Sequence, residues 1–298
     1  MHVGIVINPR AGPKRRFTAE ARVHLARAAL REQAIEGDAR LTTGRGTART
    51  VARALVDAGA THLVAWGGDG TVNEVASEAI ARDVSLGIVP GGTGNGLARE
   101  LALEHRPAAA LHTALAGHER VIDAGEIDGR MFVNVAGMGF DAWLAEVFNA
   151  LTYRRKAAYF TSGLRELRAY QPATYTVRTA HTSFRMAAFS LAVANGRQYG
   201  SGAVIAPDAR LDDGRLQIVC VPPAPTWALL WQARRLFTGS VDRMPGIRII
   251  STDGAEIEAD QPSVTFHVDG EVCTGGWQMR VRVLPHALRV RVPKSEQV

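Results

Sequence analysis

Residues 63–96 read LVAWGGDGTVNEVASEAIARDVSLGIVPGGTGNG, and this stretch decides the fold. Two apolar runs, Leu63–Trp66 and Leu86–Pro90, each lead directly into a glycine-rich loop, and a helical pattern follows each loop. Short continuous apolar runs of this kind are typical of strands that are buried on both faces of a parallel sheet. The repeat of strand, glycine loop and helix therefore predicts an α/β sandwich around a parallel sheet.

The same alternation extends on both sides of this stretch. Val3–Ile7 (VGIVI) is a further buried strand, and helical spacing covers Arg16–Gln33 and Ala48–Ala58. The other predicted helices are Thr71–Ala81, Gly96–Leu103 and Arg106–Leu115. We therefore predict one α/β domain over residues 1–122.

Beyond residue 122 the pattern changes to short β-prone segments that are separated by turns. These segments are Asp123–Asn134, Tyr175–Thr179, Ser183–Asn195, Leu216–Val221, Ile247–Ser251, Glu256–Ala259, Val264–Val268 and Met279–Val283. Two helical stretches, Ala142–Tyr170 and Pro225–Phe237, interrupt them. The pattern predicts a mostly antiparallel, β-sandwich-like second domain over residues 123–298. A last strand, Leu288–Val292, could join either domain.

Composition and charge limit the function classes. The 298 residues contain no apolar stretch near the ~20 residues that span a bilayer, and the N-terminus lacks the pattern of a secretory signal. Cys220 and Cys273 make no disulfide framework, and the histidines show no ligand spacing. We expect a cytoplasmic protein. The net charge of +6 favours anionic partners, but dispersed basic residues argue against nucleic acid. We also expect that the chain could form a homodimer.

Gly67–Glu74 (GGDGTVNE) is the strongest chemical signal. Glycines let a backbone approach a ligand closely, and loop amides beside a helix N-terminus bind anions. An acid in such a loop is favourable when a cation lies between it and the phosphates, so Asp69 is a candidate magnesium ligand. The alternative is a glycine-rich turn in which Thr71 is the N-cap of the helix.

Three more loops are predicted to open at the same edge of the sheet. Pro90–Gly96 (PGGTGNG) lies one strand later, Asn8–Gly12 (NPRAG) follows the first strand, and Thr42 follows the expected second strand. Ligands of open α/β folds bind at the carboxyl ends of the strands. Four loops at one edge predict a nucleotide site, although neither glycine loop is a Walker A motif.

NPxxG, GGDGTxNE and PxGTxN, in this order and spacing, resemble the diacylglycerol kinase catalytic domain, which is related to sphingosine and ceramide kinases. The resemblance continues through Asn134–Asp141 (NVAGMGFD), Ala206-Pro207 before Leu211–Gly214, and Asp269-Gly270-Glu271. It implies an ATP-dependent kinase that phosphorylates a hydroxyl of a membrane lipid of the diacylglycerol, ceramide or sphingoid type. GGDGT alone is shared with NAD kinases, so an NAD kinase-like enzyme and a non-catalytic lipid- or nucleotide-binding relative are the alternatives.

The resemblance also implies roles for single residues. The implied ATP contacts are Asn8, Pro9, Arg10, Ala11, Gly12, Thr42, Gly68, Asp69, Gly70, Thr71, Val72, Asn73, Glu74 and Thr93. The implied general base is Glu271 or Asp269, and Glu271 is the one often taken as the proton acceptor. The implied magnesium ligands are Asp69 and Asp123, with a structural magnesium site formed by the Asp213 side chain and the backbone carbonyls of Arg210 and Arg215.

Two departures from the family pattern and one ambiguity bear on these roles. Gly96 stands where many bacterial diacylglycerol kinases have an aspartate of the magnesium network. Trp143 replaces the aspartate with which sphingosine kinases bind the amino-alcohol head. Asp269-Gly270 is also a β-turn signal in its own right.

Two aromatic and basic stretches predict peripheral binding to an anionic membrane surface. Pro225–Thr238 (PTWALLWQARRLFT) and Leu151–Tyr170 both combine aromatic side chains with arginines, which suits a helix lying on a leaflet. The alternative is that these helices pack their aromatic side chains against the second domain.

Overall fold

The computed structural model describes residues 1–12, 18–150 and 170–294. The chain forms two compact units, Met1–Ala124 with Pro285–Val298, and Gly125–Leu284. The predicted division at residue 122 differs slightly from this one because a single strand, β5 (His118–Ile127), runs through both positions. The chain re-enters the first unit within its last strand, β14 (Glu271–Val292).

The first unit alternates strands and helices, as predicted. Its strands are β1 (His2–Ile7), β2 (Glu36–Leu41), β3 (His62–Gly67) and β4 (Ser85–Pro90). Its helices are α1 (Ala19–Glu32), α2 (Ala48–Asp57), α3 (Asp69–Ala81), α4 (Gly96–Glu100) and α5 (Pro107–Ala116). The strand order is β2-β1-β3-β4, and all these pairs are parallel. The α/β domain with a parallel sheet is confirmed.

The helices cover both faces of this sheet. Val3, Ile5 and Ile7 point to the face that α1 and α5 cover, where they pack with residues such as Leu30 and Leu111. Helices α2 and α3 pack together on β1 and β3. Because β1, β3 and β4 are buried on both sides, the polar loops that follow them carry the candidate reactive side chains.

The end of β14 completes the first sheet. Val290 pairs with Leu86 of β4 in parallel. Arg289 forms an ion pair with Asp83 at 2.9 Å, and Arg291 donates to the Gly117 carbonyl. The strand predicted over Leu288–Val292 therefore belongs to the first unit.

The second unit is antiparallel. Its remaining strands are β6 (Arg130–Phe132), β7 (Val135–Gly139), β8 (Ala173–Arg178), β9 (Ser183–Ala188), β10 (Ser190–Ala194), β11 (Leu216–Val221), β12 (Arg248–Thr252) and β13 (Gly254–Val268). Its helices are α6 (Phe140–Ala150), α7 (Thr226–Gln232) and α8 (Arg234–Thr238). The order β12-β11-β10-β7-β13-β14 has apolar clusters on both faces, which confirms the mostly antiparallel, sandwich-like prediction.

Several predicted boundaries in the second unit are wrong. Glu256–Ala259 and Val264–Val268 are parts of β13, because its pairing with β14 resumes after an irregularity at Glu258–Ser263. Asp123–Asn134 is instead two strands, β5 and β6, joined by a turn. Helix α6 begins at Phe140, and residues 151–169 of the predicted helix lie outside the described residues. Pro225–Phe237 forms two short helices rather than one.

Candidate active site

Four loops of the first unit follow strands that end at one level. Ile7 pairs with Leu41 and with Trp66, and Gly67 pairs with Pro90. The chain moves from β1 outward to β2 and then returns to β3 on the other side of β1, so the topological switch point lies between β1 and β3. Ligands of doubly wound sheets bind at this point.

Loop 1 (Asn8–Gly12) and the start of α3 are bonded across the switch point. The Asn8 side-chain amide donates to the Thr71 hydroxyl at 2.9 Å, and the Arg10 amide donates to the Asn8 side-chain oxygen at 2.9 Å. Helix α3 begins at Asp69 with Gly68 as its N-cap. The suggestion that Thr71 is the N-cap is therefore wrong, since Thr71 lies in the first turn and accepts from loop 1.

Loop 2 (Gly67–Gly70) and loop 3 (Gly91–Asn95) touch through their backbones. The Gly91 amide donates to the Gly67 carbonyl at 2.7 Å. A Cβ on Gly92 would lie 2.7 Å from the Cα of Gly68, and a Cβ on Gly12 would lie 2.5 Å from the Gly91 carbonyl oxygen. Glycine at these positions allows three loops to meet, so their amides share one small region.

The Asp69 carboxylate binds loop 3 directly. It accepts the amide of Asn95 at 2.9 Å and that of Gly96 at 2.6 Å. Asn95 itself has a φ of 51° and closes loop 3 by two bonds with Gly92. Burial raises the pKa of Asp69, and these amide bonds oppose the shift. Asp69 therefore fastens loop 2 to loop 3.

The other predicted nucleotide residues have different surroundings. Thr42 is buried, and its amide donates to the Ile7 carbonyl at 2.8 Å. Glu74 accepts the amides of Gly46 and Arg49, so it holds the start of α2 against α3. Val72 and Asn73 are buried in α3. Pro9 lies in loop 1 and is partly exposed, and Thr93 is exposed at the tip of loop 3.

Sequence reasoning missed Arg22 on α1. Its guanidinium donates to the carbonyls of Asn8 and Ala11, so Arg22 connects α1 to loop 1 and supports the loop. The only sequence signal was an arginine at a helical position whose neighbours are apolar, and that pattern does not reveal which carbonyls it meets.

The predicted metal ligands all lie among the described residues, and their surroundings differ. Buried Asp123 accepts the His286 amide at 2.7 Å. Asp213 accepts the Arg215 amide at 3.0 Å, within an exposed turn that also contains Arg210. Among the described residues, no group of three or more His, Cys, Asp or Glu side chains is arranged to hold a metal ion. Each oxygen of Asp69 already accepts one loop amide, so the carboxylate retains one lone pair on each oxygen for a cation.

Asp269-Gly270 is the two-residue turn of the hairpin that joins β13 to β14. Val268 pairs with Glu271, and both turn residues have positive φ values of 48° and 84°, as a type I′ turn requires. The Asp269 carboxylate accepts three backbone amides at 2.8–3.0 Å. These amides belong to Val133, Asn134 and Val135. Asp269 is only 7% exposed, so it holds the turn against the segment before β7.

Glu271 is exposed at the first position of β14, directly after this turn. Behind the turn, the ring of buried His267 accepts the Gly270 amide at 3.3 Å, and burial lowers the pKa of His267 to about 4. The hairpin thus presents one carboxylate to solvent and keeps the other inside.

A partly buried pair of polar side chains, Asp141 and Tyr199, lies beside His267 in the second unit. Tyr199 donates to the Asp141 carboxylate, and burial raises the pKa of Asp141 to about 6. Both Asp141 and His267 come within 2.8 Å of where a Cβ on Gly137 would stand. This crowding explains the glycine in the NVAGMGFD segment.

Helices α7 and α8 expose their aromatic side chains. Trp227 is 74% exposed and Phe237 66% exposed, and neither helix has a buried residue. Arg234 and Arg235 lie 5.2 and 5.6 Å from the centre of the Trp231 ring. For Pro225–Thr238, the alternative that the aromatic side chains pack against the second domain is therefore wrong. Of the other stretch, Leu151–Tyr170, all but Tyr170 lies outside the described residues.

A cavity of about 400 Å³ opens beside α7. Its lining includes Tyr170, Pro172, Phe189, Pro225 and Leu229, and polar atoms contribute slightly more of the lining surface than apolar atoms do. No helix in the described ranges is both long enough and apolar enough to cross a bilayer.

Comparison with known proteins shows the family to which the chain belongs. The model of the diacylglycerol kinase catalytic domain matches residues 2–127, and that of the YegS C-terminal NAD kinase beta sandwich-like domain matches residues 134–292. A Pseudomonas aeruginosa protein named "Probable lipid kinase YegS-like" is 34% identical over 286 residues, which cover 91% of this chain and 89% of that protein. The chain belongs to the YegS-like lipid kinase family. It is therefore a lipid kinase, and kinase chemistry implies ATP as the phosphoryl donor.

Other relatives agree with this membership. A protein with the same name from Citrobacter koseri is 30% identical over 287 residues, covering 89% of each chain. A solved structure of a diacylglycerol kinase from Bacillus anthracis str. Sterne has a TM-score of 0.75 at 17% identity, covering 99% of this chain and 97% of that one. At this identity the structural likeness supports the fold alone.

Proposed function

We propose that this YegS-like lipid kinase transfers the γ-phosphate of ATP to a hydroxyl of a diacylglycerol-, ceramide- or sphingoid-type lipid. The observation that carries the proposal is the meeting of loops 1, 2 and 3 at the switch point. Glycines, loop amides and the N-terminus of α3 together suit a triphosphate. Phosphoryl transfer depends chiefly on positioning and on charge, both of which such a cradle supplies.

Glu271 is the general base of this proposal. A base must have a lone pair free to take the proton of the attacking hydroxyl. The Asp269 oxygens are committed to three amides in a buried turn, whereas the Glu271 carboxylate is exposed. Asp269 and the ring of His267 then act on Glu271 by fixing the turn that precedes it.

Magnesium enters the proposal with the nucleotide rather than as a resident ion. Mg²⁺ keeps several waters and binds through few carboxylates together with substrate phosphates. The described residues offer no ready-made cage, so ATP supplies most of the ligands. Bound in this way, the ion would neutralise charge on the phosphates.

The lipid reaches the enzyme at a membrane surface in this proposal. Exposed Trp227, Trp231 and Phe237 would enter the headgroup region, while Arg234 and Arg235 would face anionic lipids. The adjacent cavity beside α7 would take part of an acyl chain against the side chains of Phe189, Pro225 and Leu229. The net charge of +6 favours the same surface.

The test of the activity is a radiolabelled ATP assay with separated products. The acceptors are diacylglycerol, ceramide, sphingosine and monoacylglycerol in anionic vesicles, with NAD as a soluble acceptor. We expect label in one lipid class and none in NAD. Label in NAD alone would replace this proposal with the NAD kinase-like alternative, and label in no acceptor would support a binding protein.

The docking surface is tested by vesicle co-sedimentation. Trp231→Ala should weaken binding to anionic vesicles several-fold, because it removes one interfacial anchor. Trp277→Ala is the matched control, since Trp277 is 52% exposed against 51% for Trp231 but lies on β14. Equal loss in both variants, or a lowered melting temperature in Trp231→Ala, would argue against docking through α7.

A further inference from the structure

Arg22 is a buried cation directly beneath loop 1. It is 6% exposed, and its guanidinium donates to the Asn8 carbonyl at 2.7 Å and to the Ala11 carbonyl at 2.5 Å. The same group lies 5.8 Å from the centre of the Trp66 ring. Arg22 is therefore held between the loop and the end of β3.

No carboxylate of the described chain compensates this charge. Burial lowers the pKa of Arg22, and no acidic neighbour opposes that shift. The Nε atom has no hydrogen-bond partner in the described chain, and residues 13–17 (PKRRF) include no acid. Because arginine stays protonated in proteins, the first unit contains a buried positive charge whose cost is not offset by an ion pair.

The hydrogen bonds of Arg22 also orient loop 1. The Ala11–Gly12 peptide is planar and trans, so its N–H points opposite to its carbonyl. Since the Ala11 carbonyl points to Arg22, the Gly12 amide points away from Arg22. Gly12 has a φ of 79° and packs against the Gly91 carbonyl, which keeps the loop in this orientation.

We propose that Arg22 is a positioning residue for the phosphates of ATP, which fixes loop 1 through two carbonyls and supplies a positive charge beneath it. The inference rests on the proposed nucleotide site. A bound triphosphate would provide a counter-charge for Arg22, and a charge in a dry environment is screened less than one on the surface. Its effect should therefore grow with the number of phosphates on the ligand.

The experiment measures the dissociation constants of adenosine, AMP, ADP and ATP by calorimetry. Arg22→Gln should weaken ATP about tenfold or more, because charge-assisted contacts are the strong ones, and adenosine by less than about twofold. Arg22→Lys, which keeps the charge, should recover most of the ATP affinity. Arg27→Gln is the matched control, since Arg27 is exposed on the same helix and its loss changes the net charge equally; it should bind all four ligands like wild type.

The other possible outcomes contradict the proposed role of Arg22 or the nucleotide site on which it rests. Equal weakening for all four ligands, or Arg22→Lys no better than Arg22→Gln, would make Arg22 a packing residue. Unchanged ATP binding by Arg22→Gln would overturn the inference. If circular dichroism shows that neither Arg22 variant folds, the inference is overturned as well. Wild-type protein that binds no ATP would instead refute the proposed nucleotide site.

Discussion

Each of the two units contains an aspartate that is followed by glycine, and each carboxylate accepts backbone amides from a segment distant in sequence. In the first unit Asp69 accepts the amides of Asn95 and Gly96. In the second unit Asp269 accepts three amides of the segment that precedes β7. Both aspartates were candidates for the chemistry, and both are placed by the structure as anchors between segments.

The two sites differ in the backbone around the aspartate. Asp69 is the first residue of a helix, so the loop before it lies at a helix N-terminus, where backbone amides favour an anion. Asp269 has a left-handed φ of 48° in a tight turn, and the next exposed side chain is Glu271. The same Asp-Gly dipeptide thus begins a helix in the first unit, whereas in the second unit it forms a turn that presents the next residue.

The largest effect is expected for Glu271→Gln. We expect kcat to fall by ~10²–10⁴, because an amide cannot take the proton of the lipid hydroxyl, with KM for ATP and the melting temperature unchanged. Initial rates at saturating lipid measure this. Glu271→Asp is the control that keeps a carboxylate and should retain more activity. Full activity of Glu271→Gln would place the base elsewhere.

Asp69→Ala should instead weaken the interaction of the enzyme with ATP. Loss of its carboxylate leaves two loop amides without their acceptor, at about 1–3 kcal/mol each. We expect KM for ATP to rise ~10²-fold while KM for the lipid stays nearly constant. Steady-state kinetics with each substrate varied in turn separate the two constants. An unchanged KM for ATP would remove loop 3 from the nucleotide site.

Asp269→Asn should mainly cost stability. The remaining oxygen can still accept the amides of Asn134 and Val135, but the Val133 amide loses a charged acceptor, worth about 1.5–3 kcal/mol. Urea unfolding measures this loss, and we expect kcat to fall less than ~10-fold. If kcat instead falls as far as in Glu271→Gln with no loss of stability, Asp269 is the base and the contrast between the two carboxylates fails.

The smallest effects are expected at the two glycines. Gly70 lies in the first turn of α3 with open space where a Cβ would stand, so Gly70→Ala should leave the free energy of unfolding equal or raise it by up to ~1 kcal/mol. Gly270 has a φ of 84°, so Gly270→Ala should lower it by about 1–2 kcal/mol. Thermal unfolding of the two variants and of the wild type measures both changes in the free energy of unfolding.

The same two glycine variants also test whether ATP binds at loop 2. A Cβ at Gly70 would enter the open space in which we propose that the phosphates bind, so Gly70→Ala should weaken the binding of ATP although its fold is intact. Calorimetry with ATP measures this, and Gly270→Ala is the control that should bind ATP normally. Normal ATP binding by both variants would show that the nucleotide does not approach loop 2.

Local patterns were sufficient for most of the first unit. Short apolar runs, glycine loops and helical spacing lie within a few residues of one another, so Ser85–Pro90 and Pro107–Ala116 were predicted to within one residue at each end. Leu216–Val221 in the second unit was predicted at its observed bounds. Burial on two faces leaves a signal that does not depend on the strand's partners.

Long-range pairing decided the long strands. β13 contains the exposed residues Asp260–Ser263 (DQPS), which read as a turn in the sequence, yet pairing continues on either side of them. β14 contains His286 with a φ of 52°, and it runs on through that point to Val292. Partners in neighbouring strands hold these residues, and a local window contains none of those partners.

The sequence by itself determined the order of the units, the positions of the glycine loops and the family motifs, because each is carried by neighbouring residues. Only the tertiary structure decided what each acid does. The amides that bind Asp69 are 26 and 27 residues away, and those that bind Asp269 are 134–136 residues away. A carboxylate becomes an anchor or a free base according to which donors the fold brings to it, and that choice is made only when the distant segments meet.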